Sequence, residues 1–174
     1  MMVEKFGFAV HEVTSLFLIT LLANILSAPL VGKAVEVFGE RNALVFEYVG
    51  LAVIFFLYGG LYYFGWGVVL ASALYVFNHI FFSLALALKT YFQKIADPQD
   101  IAPTAAVAFT LNHIAAVFLP ALLGYLWLTS PGLVFLAAAG MAIVSLLLSL
   151  LIPRHPVRGN ETISARTLGA KPAE

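Results

Sequence analysis

Apolar residues along the chain fall into five runs, at residues 13–31, 43–64, 68–88, 104–128 and 133–152, each closed by a short polar or glycine-proline break. A helix rises about 1.5 Å per residue, so each run is long enough to cross, upright or tilted, a hydrocarbon layer about 30 Å thick. None alternates in the manner of a half-buried strand, and none carries the charged face of a helix on a soluble surface. The pattern predicts an all-α fold, a polytopic membrane bundle of about five transmembrane helices within residues 1–153. Residues 154–174 are polar, with scattered Pro, Gly and Thr, and predict a disordered cytoplasmic tail.

The breaks sharpen this outline. Pro29 lies near the end of the first run, where a missing backbone donor does least harm. A polar connection from Gly32 to Asn42 follows, and Asn42 is placed to cap the second helix. Tyr58, Tyr62, Tyr63 and Trp66 gather around the uncharged turn Gly65-Trp66-Gly67, as an aromatic belt does at a membrane face. The connection from Lys89 to Pro103 is longer and polar, with Pro103 suited to the first turn of the fourth helix. Thr129-Ser130-Pro131-Gly132 reads as a turn.

Composition agrees with a lipid environment. Hydrophobic residues make up 62% of the 174 and charged residues 10%, against about 25% charged in soluble domains. A formal net charge of zero, without a basic patch, argues against a nucleic-acid partner. The absence of cysteine rules out disulfides, thiolate nucleophiles and Cys-ligated metals. The N-terminal residues do not resemble a signal peptide, because the first apolar run is too long and leads into further spans. Lys33, Arg41, Lys89, Lys94, Arg154, Arg158, Arg166 and Lys171 fall on one side of such a bundle, and Lys5 alone on the other. The positive-inside rule then predicts an outside N-terminus and a cytoplasmic C-terminus, in a plasma or inner membrane.

Polar residues inside the runs are the candidate chemistry. Thr20, Asn24 and Ser27 share one face of the first helix. The third and fourth runs each carry an Asn-His pair near the middle, Asn78-His79 and Asn112-His113. Asn78, Phe82, Ala85 and Lys89 form one stripe, and His79, Ser83, Leu86 and Thr90 the next, a polar face that broadens toward the cytoplasm. If the two helices pack side by side, both pairs reach one depth. Two readings stand: these groups line a path for a solute or proton, or they hydrogen-bond between helices at about 0.6 kcal/mol per pair. Glu47, one turn into the second helix, suits pairing with Arg41 or Lys33. No phosphate loop, nucleophile elbow or metal-ligand spacing occurs, and Asp97 with Asp100 is too sparse for a magnesium site. An enzyme, a cofactor and a metal centre are therefore not expected.

These residues resemble the C-terminal part of a major facilitator superfamily transporter. The connection Gly32-Lys33-Ala34-Val35-Glu36-Val37-Phe38-Gly39-Glu40-Arg41 is similar to that family's cytoplasmic motif through Gly32, Glu36, Gly39 and Arg41, and departs from it at Val37 and Glu40. The stretch from Lys94 to Pro103, continuing through Asn112-His113-Ile114-Ala115-Ala116, is similar to one seen in some prokaryotic members. The resemblance covers residues 12–153 and aligns the five runs with helices eight to twelve of the fold. It implies a secondary transporter of a small molecule or ion working by alternating access. It places Asn24, Asn78, His79, Asn112 and His113 on cavity-facing helices, and makes the second and fifth helices braces. It also implies a truncated or split transporter, with a partner polypeptide carrying the missing N-terminal helices. The alternative is a small non-transporting membrane scaffold or assembly protein.

Overall fold

The computed structural model describes residues 7–64, 67–158 and 160–163, the Tyr62 side chain excepted. Trp66 of the aromatic belt and the tail beyond residue 163 lie outside them. Among the described residues the chain forms six helices: α1 Val10–Phe38, α2 Glu40–Phe64, α3 Val68–Ser83, α4 Leu86–Ile95, α5 Pro98–Thr129 and α6 Pro131–Ser149. With α3 and α4 taken as one broken span, five segments are long and apolar enough to cross a membrane. The chain is an all-α bundle of membrane-spanning character.

Helix ends depart from the runs where backbone chemistry outweighs polarity. α1 does not stop near Pro29 but passes through it to Phe38, because losing one hydrogen bond does not end a packed helix. Its stop is Gly39, at φ 79°, a conformation glycine adopts without a Cβ penalty. The predicted connection 32–42 is thus mostly helical. Asn42 lies inside α2 and donates through Nδ2 to the Phe38 carbonyl at 3.0 Å, so it satisfies the end of α1 rather than capping α2. The long polar connection is also mostly helix, leaving Ala96 and Asp97 as a tight corner. Pro98 takes the first position of α5, where proline lacks nothing, and Pro103 sits inside that helix.

α2 is the hub. It packs most extensively against α6 and also against α3, α1 and α4. Its buried positions Glu40, Leu44, Glu47, Leu51, Ile54, Tyr58 and Leu61 recur every three or four residues, the spacing of one helical seam. The facing surface of α6 offers small side chains, Ala139, Ala142 and Ser149 being buried, so the backbones approach closely without hydrophobic drive. Toward the end of the bundle that carries Gly39, Val31, Val35, Ala43, Leu44, Leu84, Ala87 and Ile152 form one apolar cluster. Ile54, Tyr58, Leu61, Ala71 and Leu74 form a second toward the other end. Tyr58, predicted for the belt, turns inward instead and donates to the Ala71 carbonyl at 3.3 Å.

α5 behaves differently. None of its residues is buried, and its main helix contact is with α6. The alanine-rich face of this run therefore remains open. The tail departs from prediction in the opposite sense. Val157 and Asn160 pair in an isolated bridge, and the Ile163 amide donates to the Leu151 carbonyl at 2.9 Å. The Tyr91 hydroxyl donates to the Glu161 carbonyl at 2.6 Å. Residues 154–158 and 160–163 form a docked turn rather than disordered chain, because these backbone groups find partners on Tyr91 and Leu151.

Candidate functional site: a buried acceptor layer between three helices

Three polar side-chain oxygens are buried without a hydrogen-bond partner among the described residues: Asn24 Oδ1, Glu47 Oε2 and Asn78 Oδ1. They come from α1, α2 and α3, which pack on one another. Buried polar atoms are normally paired, so three orphans on touching helices need an explanation.

Their relative level follows from helix rise, measured from residues of the cluster that holds Val31, Leu44 and Leu84. Asn24 lies seven residues outward of Val31 and Asn78 six residues outward of Leu84, about 10.5 and 9 Å. Glu47 lies three residues outward of Leu44, about 4–5 Å. By this measure the two asparagines lie at a similar level, with Glu47 about one turn nearer the end of the bundle that carries Gly39.

The local sequence explains why each points inward. On α1, Thr20 is buried and Asn24 and Ser27 are half-buried, and the same face continues into buried Val31 and Val35. Thr20 and Ser27 bond the carbonyls of Leu16 and Asn24 at 2.8 and 3.2 Å, so both hydroxyls are satisfied within α1. On α3, Asn78 belongs to the seam Ala71, Leu74, Asn78, Phe81 rather than to the predicted stripe through Phe82 and Lys89, both of which are exposed. Phe82 is already off the seam within α3, and Lys89 lies beyond Ser83–Ala85, where the span breaks. Leu84, Ala85, Ala87 and Leu88 bond carbonyls three residues back, and this tighter winding rotates α4 relative to α3.

Glu47 is the deepest of the three, 2% exposed. Its predicted partners, Arg41 and Lys33, form no ion pair with it, and the ion pair made by α2 is that of Glu40, whose carboxylate meets Lys94 Nζ at 2.5 Å across the α2–α4 contact. Lys33 is exposed and Arg41 half-exposed near the α1–α2 corner. Gly32 and Glu36 fall in the last turns of α1, and Gly39 is its terminus. The motif residues therefore shape the α1–α2 corner, while Glu47 stands inside the bundle.

The two histidines are not brought together. His79 Nδ1 lies 2.9 Å from the Tyr75 carbonyl, and His113 Nδ1 2.9 Å from the Phe109 carbonyl. A carbonyl only accepts, so each Nδ1 carries hydrogen and donates within its own helix. The rings lie against Tyr75 and Phe109, with centroids 4.7 and 3.9 Å apart. His79 is half-buried, whereas Asn112 and His113 are exposed on α5. The predicted side-by-side packing of the third and fourth runs is replaced by contact between α5 and α6. Asp97 is taken by Arg158 at 3.0 Å, at the rim rather than in a metal site.

Glu47 is the residue that sequence reasoning underrated. Its signal was the seam spacing Glu40, Leu44, Glu47, Leu51, which places it on the buried face with two leucines. Comparison with protein-family models, with curated proteins and with solved structures finds no match to this chain.

Proposed function

We propose that this chain is the membrane-embedded part of a secondary transporter, carrying a small molecule or ion by alternating access along a path between α1, α2 and α3. The observation that carries the reading is the set of unpartnered acceptors, Asn24 Oδ1, Glu47 Oε2 and Asn78 Oδ1, on helices in contact. Polar groups at membrane depth mark solute pathways when they face a bundle interior rather than lipid. The resemblance to the major facilitator superfamily supports the same reading, since two of the three lie on helices that face the cavity there. No catalytic step is assigned.

The open face of α5 fits a further polypeptide. Thr110, Asn112 and His113 are exposed on a helix with no buried residue, and polar side chains do not stay in contact with lipid when helices can cover them. Helices of the kind the resemblance places in the N-terminal half of the transporter would cover this face. Orientation follows from the lysine and arginine distribution, with the N-terminus outside and the C-terminus in the cytoplasm of a plasma or inner membrane.

Cysteine labelling tests the path, and the chain has no native cysteine to interfere. Asn24→Cys and Asn78→Cys are expected to react with a charged, water-soluble thiol reagent, while Phe56→Cys on the exposed face of α2 reacts only with a lipid-soluble one. Protection of both asparagine positions under every condition, with Lys33→Cys labelled as the control, would refute the path. The chain would then be a packing or assembly protein.

A further inference from the structure

The unpartnered atoms share one chemical character: all three are acceptors, and one belongs to a carboxyl group. Among the described residues no donor reaches Glu47 Oε2, and no cationic side chain stands free beside it. α6, its most extensive neighbour, contains no ionisable residue from Pro131 to Ser149. On α3 the groups are Tyr75 and His79, and the His79 Nδ1 hydrogen is spent on the Tyr75 carbonyl. On α4, Lys94 is held by Glu40, Lys89 is exposed, and Tyr91 donates to the Glu161 carbonyl. On α1, His11 and Glu12 lie at the far end, and Lys33 and Glu36 are exposed near the α1–α2 corner. On α2 itself, Arg41 is six residues away, about 9 Å along the axis, and the neighbouring Tyr48 is half-buried. A carboxylate so enclosed is neutralised by a bound positive charge, because an isolated charge in low dielectric is not sustained.

We propose that Glu47 is a monovalent-cation site, holding a proton or an alkali ion that reaches it past the Asn24 and Asn78 carbonyls. Carboxylate and amide-carbonyl oxygens are hard donors suited to small cations, and the same groups accept the hydrogen bonds of a hydrated proton. Asn24 and Asn78 form the outer step and Glu47 the inner one, a turn apart on touching helices. The inference rests on the path proposed above and names what that path conducts or is driven by.

Infrared spectra of the full chain in lipid nanodiscs, wild type against Glu47→Gln, test it across a pH series with and without sodium. The wild type is expected to show a protonated-carboxyl band that Glu47→Gln lacks. Loss of that band on raising the pH alone identifies the proton; its loss on adding sodium at fixed pH identifies an alkali ion. Glu47-dependent retention of radioactive sodium without the band also supports the alkali ion. A band that responds to neither pH nor sodium marks a permanently neutral structural acid and overturns the proposal. So does absence of the band together with absence of sodium retention. Should Glu47→Gln not fold, the melting temperature of the wild type and of Glu47→Asp replaces it. Protons or sodium must then raise the wild-type value and raise the variant's less, and equal or absent shifts overturn the site. Cysteines at positions 24 and 78 that label while Glu47 binds nothing defeat this inference and leave the path standing. Cysteines that never label defeat both.

Discussion

Replacing Gly50 with alanine probes the contact that sets the spacing between α2 and α3. A Cβ at Gly50 would run into the Phe81 ring, with Cζ 2.7 Å away and the Cδ1–Cε1 edge closer still. The ring has little room to retreat, because its centroid already lies 5.2 Å from that of Phe46 and it packs on both apolar clusters. Overfilling a packed contact costs about 1–3 kcal/mol. Alanine recovers up to about 1 kcal/mol through its better helix preference. The expected net is destabilisation by about 1–2 kcal/mol, a factor of about 5–30 in the folded-to-unfolded ratio. Unfolding by detergent titration in mixed micelles, followed by circular dichroism, measures it. Phe81→Leu removes the obstructing ring edge, so Gly50→Ala and Phe81→Leu together should cost less than their sum by about 1 kcal/mol or more. A Gly50→Ala chain as stable as the wild type, or strictly additive effects, would refute the close approach. The level of Asn78 relative to Glu47 would then be wrong as well, since Gly50 and Phe81 each stand one turn from those residues.

Further outcomes follow from the Glu40–Lys94 pair, the docked turn, the α2–α3 contact and α5. Lys94→Ala leaves the buried Glu40 carboxylate unpaired and should cost about 1–2 kcal/mol, discounted because Lys94 is half exposed; Glu40→Gln combined with it should recover part of the loss in the same titration. Tyr91→Phe deletes the hydrogen bond to the Glu161 carbonyl, at about 1 kcal/mol. It should speed trypsin cleavage after Arg158 while hardly changing global unfolding, and an unchanged cleavage rate would argue against the docked turn. Tyr58→Phe breaks the bridge to the Ala71 carbonyl and should cost about 0.5–1.5 kcal/mol. His113→Leu should leave the isolated chain within about 0.5 kcal/mol of wild type, because the residue is exposed and its Nδ1 bonds its own helix. A large loss there would mean that α5 is packed through this face.

Local chemistry was enough to determine the class of this protein. Five apolar runs with almost no charge admit only helices in lipid, since each backbone group must be satisfied within its own segment. The inward face of α1 was legible too, because Thr20, Asn24 and Ser27 repeat at helical spacing and continue into Val31 and Val35. What the pattern misjudged was where polar means outside. Gly32–Phe38 and Lys89–Ile95 look like connections yet continue as helix, because helix ends are set by a glycine at positive φ and by the Asp97–Pro98 corner rather than by charge. Which polar residues meet was decided by tertiary structure alone. Asn78 falls on the buried Leu74–Phe81 seam of α3, the winding change at Ser83–Ala85 separates it from Lys89, and α5 packs on α6, leaving His113 outside. Glu40 takes the lysine that Glu47 lacks, an allocation that depends on α4 crossing α2 and has no counterpart in sequence spacing.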